Sequence, residues 1–494
     1  YVRNVTDVDD KILKRAQENG ESPLELSQRM SLVNADELRA CGCMNPDQEP
    51  RVSQSLASIV ALIESLVAKG AAYPAPTPAG TDVYFDVRAF PAYGKLSHRN
   101  LDDLLSGARV EPGDAKRDPL DFALWKGSGN VGEGFGWDSP WGRGRPGWHI
   151  ECSAMAADTL SPHFDLHGGG MDLVFPHHEN EIAQSEAAWG EPFARHWVHS
   201  GFVNVDAEKM SKSLGNFVTI QQILERNDGE ALRYFLLGAH YRGPIDFDVE
   251  TMQDGSVGGR VVFPGVDEAE RRIEYLYTTQ EAVAAAAAGA SPLATGDTAV
   301  ASAVRGAADR VLAALDADLN TSVALSVIAE LAHAANEIVL QVAKAAKAGR
   351  VAPSPPPGAG VGSGVGSGVG SGVGSGVGSG AGNKKPPSSA PLTLPAAQSL
   401  AAAALEALRA CCAPLGLMQT APAEFFARSR ARRIKLRGLD PVWVETKVQA
   451  RAAARTAKDF ARADALRAEL AAAGVEVSDV AGSGSGKTAW RVTI

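Results

Sequence analysis

Lys209-Met210-Ser211-Lys212-Ser213-Leu214-Gly215-Asn216 is the sharpest local signal in the chain. Two lysines three residues apart, with small hydroxyl side chains between and after them, make a compact cationic loop. Such a loop suits the phosphates of a nucleotide, where negative charge develops during phosphoryl or nucleotidyl transfer. Two lysines alone read more readily as an exposed basic loop; the complete string is far more specific. Around it, residues 1 to about 250 mix helical and strand-like patterns and hold nine of the ten His, six of the eight Trp and three of the five Cys.

Upstream of the loop lies a second constellation. His177-His178-Glu179-Asn180-Glu181 reads as the start of a helix, and a spacing of four puts His177 and Glu181 on one face. With Cys152 they offer one thiolate, one imidazole and one carboxylate, a three-ligand zinc set with an open position. A buried cysteine beside a polar helix face is the alternative. The zinc-protease pattern is excluded, because it needs a second histidine where Ile182 stands. His167-Gly168-Gly169-Gly170-Met171-Asp172 gives a backbone that a ligand can approach closely and a carboxylate that can accept from it. An ordinary glycine-rich turn fits as well. Trp148 stands four residues before Cys152, as a pocket wall or a core residue.

Two segments predict regular structure on the way. Ser53–Lys69 has helical apolar spacing at Leu56, Ile59, Leu62, Ile63 and Leu66, and Asp82–Val87 is a strand candidate. Gly127–Gly147 is rich in Gly, Pro and Trp and is expected to be loop.

Downstream, residues 264 to about 350 are alanine-rich with helical periodicity and predict a helix bundle. Pro353–Pro395 contains Gly-Val-Gly-Ser repeats and too little apolar surface to offset its ordering entropy, so it predicts a flexible linker. Helical pattern resumes at Ala396, which makes the bundle one unit split by the linker. The tail from about 421 has a basic helical part, Glu445–Ala473, then a strand, a turn and a strand. Ala481–Thr488 fits a relaxed phosphate-loop pattern, but the six residues after it look like strand rather than helix, so it reads as a hairpin turn.

Composition sets the outer limits. The chain has 494 residues, enough for about three domains. Its formal net charge is −10. Glu424–Glu469 holds twelve Lys/Arg against six Asp/Glu, so the body is acidic and the tail basic, as for a protein that meets a polyanion at one end. Five cysteines exclude a disulfide-stapled module and fit a reducing compartment. No run of about 18 uncharged apolar residues is present, so no transmembrane helix is expected. The polar start at Tyr1 is no signal peptide, lacks an initiator methionine and reads as the interior of a domain, which predicts a fragment.

Several strings together resemble the cysteinyl-tRNA synthetases, class I enzymes of bacterial type. They are Arg3-Asn4-Val5-Thr6-Asp7-Val8-Asp9-Asp10-Lys11-Ile12, Lys116–Trp125, Gly147–Met155, Phe175–Glu181 and the Lys209–Ser213 loop, with a return at Ala454–Asp464. The resemblance implies an α/β fold: a class I nucleotide-binding (Rossmann-like) parallel sheet, incomplete at its N-terminus, then a helix bundle and a small α/β tail. It implies a catalytic domain at 1–200 with an insertion at about 58–142 and a signature-loop region at 201–263. A helical bundle at 264–420, interrupted by the linker 353–395, and an anticodon-binding domain at 421–494 follow.

The resemblance also implies roles. Cys152, His177 and Glu181 fall on three of the family's four zinc ligands, with one Zn2+ per subunit binding the substrate thiolate. Trp148 and Thr6 are expected at the amino-acid pocket. Lys209, Lys212, His167 and Asp172 are expected at ATP, which arrives with Mg2+. Arg455 and Asp464 are expected to read the anticodon of tRNA(Cys), although exposed helix charges fit too. The implied reaction is activation of L-cysteine to cysteinyl adenylate and transfer to tRNA, by a cytoplasmic monomer with no membrane partner. The family's upstream cysteine ligand and nucleotide motif have no counterpart here, so the chain as written is expected to be inactive. Two alternatives are a ligase joining cysteine to an amino sugar, as in mycothiol biosynthesis, and a degenerate RNA-binding homologue. The basic tail argues against the first, and the intact loop and retained ligands against the second.

Overall fold

Strands Phe164–Gly170 and Ala194–Ser200 run parallel, with Phe164 opposite Ala194 and Gly170 opposite Ser200. Parallel neighbours need a crossover connection, and here the helix Glu179–Trp189 provides it. In this computed structural model, residues 1–100, 115–128, 136–205, 208–210, 217–252, 260–290, 299–351, 392–479 and 488–493 are described. They divide into two compact units, one formed by Tyr1–Ile273 with Ala427–Ile494 and the other by Glu274–Phe426.

In the first unit a helix-and-sheet module precedes the parallel pair. The helix Leu56–Ala68 buries Ile59, Leu62, Ile63 and Leu66, the stripe expected from their spacing. Four antiparallel strands follow in sequential order: Ala72–Thr77, Gly80–Phe85, Phe122–Gly127 and Gly144–Pro146. The last of these corrects the expectation of loop throughout Gly127–Gly147. Lys126 and Gly127 pair with Arg145 and Gly144, because extended backbone beside an open strand edge gains a ladder. One apolar cluster joins this module to the site helices: Ile59, Leu66, Phe85, Leu124 and Trp125 pack with Ile150, Met155 and Ala183. The sheet therefore braces the helices Trp148–Thr159 and Glu179–Trp189 from behind their polar faces.

After the parallel pair comes a three-stranded sheet. Val203–Val205 pairs antiparallel with Glu208–Lys209 and parallel with Ile245–Phe247. Met210 packs beside a cluster of Val205, Ile223, Phe247 and Phe263, which anchors the entry to the Lys-Met-Ser-Lys-Ser loop. Ser211–Asn216, with Lys212, lie outside the described residues, as does the side chain of Lys209.

The tail contributes the helices Pro441–Thr456 and Phe460–Ala472, and the antiparallel hairpin Val475–Asp479/Thr488–Val492. Glu445–Ala473 is thus two helices. Lys458, at φ 59°, takes the left-handed conformation that ends the first. Residues after the glycine-rich turn enter a strand, as the hairpin reading expected, and the turn itself lies outside the described residues.

The second unit is a helix bundle containing Ala299–Arg305, Ala307–Asp316, Thr321–Val351 and Leu394–Cys412. Small and branched residues, among them Ala324, Ile328, Leu331, Ala335, Leu400 and Ala404, fill its core. Thr321–Ala348 is, among the described residues, the one helix long and apolar enough by composition to cross a membrane; it carries Glu330 and Glu337 and buries Ala324, Ile328, Leu331, Ala335 and Ile338 in the bundle. Leu394 and Pro395, expected at the end of the linker, are already helical; proline is tolerated in the first turn because no backbone donor is needed there. The remainder of the linker up to 391 lies outside the described residues.

Candidate active site

Cys152 lies on the helix Trp148–Thr159, whose N-terminal neighbour Gly147 is pressed against strand Phe122–Gly127. Its N–H donates to the Leu124 carbonyl at 2.8 Å. A β-carbon at 147 would run into the Ala123 carbonyl oxygen, so glycine is what permits the helix to start there. His177 ends the turn Val174–His178, and Glu181 follows in the first turn of Glu179–Trp189. Seven consecutive residues, Glu179–Ser185, are buried. The Glu179 carboxylate accepts from the backbone N–H groups of Gly94, Leu96 and Ser97, and the Tyr93 hydroxyl donates to Asn180 Oδ1 at 2.5 Å. These contacts lock the helix that carries Glu181.

The three sequence-predicted ligands converge. One donor atom each of Cys152, His177 and Glu181 lies within 4.8 Å of the others. The Glu181 carboxylate is fully buried. Oε2 meets His167 Nε2 at 2.9 Å, but Oε1 makes no hydrogen bond, with His177 Nε2 3.5 Å away. A buried carboxylate oxygen left without a partner is costly, and this one is aimed at a thiol and an imidazole. The donor set Cys/His/Glu is one that zinc accepts, so the residues fit a metal. The electrostatics agree. Burial would raise the Glu181 carboxyl, yet the His167 hydrogen bond and the His167, His177 and His178 imidazoles bring it down to about 2. Burial, then the Glu181 and Glu151 carboxylates, push the Cys152 thiol well above its usual range. Burial lowers the His177 imidazole, so the ring is neutral and available as a donor ligand.

Other expected residues stand close by. The Asn4 amide reaches Cys152 Sγ at 3.5 Å and Thr6 Oγ1 at 3.4 Å, which links Thr6 to the site. Trp148 is 46% exposed, so it is no core residue; its indole stacks on the His177 ring. Trp148 and His149 wall a cavity of about 680 Å3 together with Asp9, Lys126 and Arg145. The glycine run also has close neighbours within the chain. A β-carbon at Gly169 would stand 2.6 Å from His178 Cε1, and one at Gly170 would collide with Asp172 Oδ1. These glycines admit the chain's own His178 and Asp172 beside the strand.

Sequence reasoning missed His149, His178, His199 and Asn4. His149 Nδ1 lies 2.9 Å from His177 Nδ1, and His178 Nδ1 lies 2.8 Å from His199 Nε2. Burial and His177 push the His149 imidazole down to about 3, and burial does the same for His178. The signal was available: seven of the ten histidines fall between 149 and 199. His167, His178 and Glu181 also bring donor atoms within 4.8 Å, sharing the same carboxylate.

In the tail, Arg455 lies over the Phe460 ring at 5.4 Å, and Asp464 is exposed on the next helix. Part of the tail's positive charge turns inward. Arg428 and Arg432 bind the buried Asp228, Arg432 and Arg433 bind the buried Glu270, and Arg433 also donates to the Val492 carbonyl.

Comparison with known proteins places this architecture. The tRNA synthetases class I (C) catalytic domain matches residues 1–256, the DALR domain 310–352, and the cysteinyl-tRNA ligase anticodon binding domain 444–491. The solved structure of Mycobacterium tuberculosis methionyl-tRNA synthetase in complex with methionyl-adenylate aligns with a TM-score of 0.54 at 15% identity, covering 89% of this chain and 86% of that one. The fold is that of a class I aminoacyl-tRNA synthetase. Within that class, the cysteine–tRNA ligase of Anaeromyxobacter sp. strain Fw109-5 is 47% identical over all of this chain and 87% of its own length. The one from Geobacter sulfurreducens is 42% identical over the same shares. The chain belongs to the cysteine–tRNA ligase family, whose reaction activates cysteine with ATP and transfers it to tRNA.

Proposed function

We propose that Cys152, His177 and Glu181 hold a zinc ion at which the substrate cysteine is recognised. The observation that carries this reading is the convergence of the three donors around a buried Glu181 oxygen that makes no hydrogen bond. When bound, zinc supplies a soft Lewis-acid position that takes a thiolate far better than the hydroxyl of serine. Cys152 gives up its proton on ligation, which burial alone resists. His167 orients the Glu181 carboxylate through the 2.9 Å contact. Trp148 walls the amino-acid pocket and excludes water from it, and Asn4 holds Thr6 toward the same space.

ATP, with Mg2+, is taken by Lys209 and Lys212 at its phosphates, and His167 and Asp172 flank the adenylate. The lysines offset charge as the cysteine carboxylate attacks the α-phosphorus and pyrophosphate leaves. That work is positioning and electrostatic stabilisation. Residues 421–494 meet tRNA(Cys), with Arg455 and Asp464 reading anticodon bases. In this reading residues 1–200 are the catalytic domain with its insertion at 58–142, 201–263 the signature-loop region and 264–420 the helical domain. The protein works as a monomer in the cytoplasm.

The test uses protein expressed from its gene, with labelled cysteine, ATP, total tRNA and metal analysis. One zinc per chain and base-labile label in acid-precipitable tRNA are expected, with serine rejected. Rejection of serine by metal-free enzyme would overturn the zinc reading.

A further inference from the structure

The contact between His149 Nδ1 and His177 Nδ1, at 2.9 Å, joins two nitrogens of the same kind. One must donate and the other accept. The opposite nitrogen of His177, Nε2, faces Glu181 Oε1 at 3.5 Å, and His177 belongs to the ligand cluster with Cys152 and Glu181. To ligate through Nε2, that atom must carry no proton, so the neutral His177 ring must carry its proton on Nδ1. It then donates to His149 Nδ1, and His149 must hold its own proton on Nε2. The reverse arrangement, with His149 Nδ1 donating, leaves a proton on His177 Nε2 and blocks ligation. Only one of the two tautomer pairs is competent.

His149 is built to hold that arrangement. Its carbonyl accepts from Gln184 Nε2 at 3.0 Å, and Gln184 Nε2 also reaches Ser153 Oγ at 3.0 Å. The Phe122 ring meets the imidazole edge-on, with centroids 5.6 Å apart and planes at 83°. The His177 ring is held on its face by Trp148 and at its edge by His149. We infer that His149 is a positioning residue that selects the His177 tautomer able to ligate metal, through an acceptor nitrogen at Nδ1. The inference rests on the metal site proposed above and extends it to a residue outside the ligand set. It acts on the ligand's proton position and orientation, the kind of outer contact that fixes a ligating histidine.

Two substitutions separate this role from simple packing. His149→Asn keeps an acceptor oxygen near the Nδ1 position; His149→Phe keeps a ring and removes the acceptor. Metal-stripped protein is titrated with zinc against a chelator, and with Co2+ followed by its visible absorption bands. The unfolding midpoint is recorded for each variant. The expected result is zinc affinity about 10–100-fold weaker in the Phe variant, with altered Co2+ bands, and affinity within a few-fold of the parent in the Asn variant. Parent-like zinc affinity in the Phe variant would overturn the inference, as would equal losses in both variants. A parent protein that binds no zinc would overturn the metal reading itself, and this inference with it.

Discussion

The indole of Trp148 lies face to face with the imidazole of His177, the ring centroids 4.3 Å apart and the planes inclined by 20°. Trp148 is nearly half exposed, so its outer face is available to a ligand while its inner face steadies a metal-ligand candidate. Stacked aromatic pairs contribute about 0.5–1.5 kcal/mol beyond area burial. Trp148→Ala is therefore expected to raise the KM for cysteine by about tenfold, since 1.4 kcal/mol is tenfold in affinity. Trp148→Phe should stay within a few-fold. Cysteine-dependent pyrophosphate exchange measures both, and an unchanged KM in the Ala variant would remove Trp148 from the pocket.

Cys152 offers a sharper test, because its thiol has no other evident use. It is partly buried, interacts with the Glu181 carboxylate and takes a long contact from the Asn4 amide. Cys152→Ser replaces a soft donor with a hard one that zinc binds poorly. Zinc content and cysteine affinity should fall together, and discrimination against serine should narrow. Stripping the parent with a chelator should reproduce the loss, and added zinc should restore it. Normal zinc content in the Ser variant would exclude Cys152 as a ligand.

How far the sequence carries can be judged from these residues. That Cys152, His177 and Glu181 come together was legible from the spacing of four between His177 and Glu181 and from a lone cysteine upstream of them. The helix Leu56–Ala68 and the terminal hairpin were legible from periodicity and turn chemistry. The imidazole pairs were not, since His149 meets His177, and His178 meets His199, only through tertiary packing. The tail's charge was legible as a sum but not in its direction. Composition cannot distinguish Arg432, turned onto Asp228 and Glu270, from a cation facing tRNA. Nor does a helical pattern reveal that Lys458 adopts a left-handed conformation and splits the stretch in two.

Gly147 couples the braced sheet to the site. Substitution by alanine puts a methyl group into the Ala123 carbonyl, a backbone atom that cannot step aside as a side chain can. Gly147→Ala should lower the unfolding midpoint by several degrees, as expected for a loss of about 1–3 kcal/mol by overpacking. It should also weaken zinc binding, because the helix carrying Cys152 must shift. Gly306→Ala, where φ is −90° and a β-carbon would meet only the Ser302 carbonyl oxygen at 3.7 Å, is the control. An unchanged midpoint in Gly147→Ala would mean that strand and helix have room to part.

Asp228 predicts a pH dependence. Burial would raise its carboxyl, but the Arg428 hydrogen bond and the Arg432 and Arg428 charges hold it below the usual aspartate range. A depressed folded-state value means that the unfolded chain binds the proton more tightly. The stabilisation is therefore complete above the unfolded value of about 3.9 and lost as pH falls through the folded one. Asp228→Asn keeps the acceptor that caps the helix Gly229–Leu237 and removes the charge. It should cost about 1.5–3 kcal/mol at pH 7, toward the lower end because Arg428 is partly open to water. The gap from the parent should close as pH falls below about 4. Denaturation followed between pH 7 and pH 3 tests this, and a gap independent of pH would show that the charge is not the source.

The anticodon reading rests on residues outside the Cys152 cluster. Arg455 ends the helix Pro441–Thr456 and Asp464 lies in Phe460–Ala472, and neither contributes to the Cys152 cluster. If they read bases, Arg455→Ala and Asp464→Asn should leave cysteine-dependent pyrophosphate exchange unchanged while raising the KM for tRNA. A lost bidentate base contact is worth about 1–3 kcal/mol, or roughly five- to 150-fold. Raising the salt concentration weakens all phosphate contacts alike, so the ratio of variant to parent KM should persist at higher salt if the lost contact is to a base. A ratio that collapses toward one would assign Arg455 to the phosphate backbone instead. For Asp464 the sign differs: a carboxylate gains nothing from a phosphate, so removing its charge without a base contact should tighten tRNA binding. A raised KM in Asp464→Asn therefore supports base reading, and a lowered one refutes it.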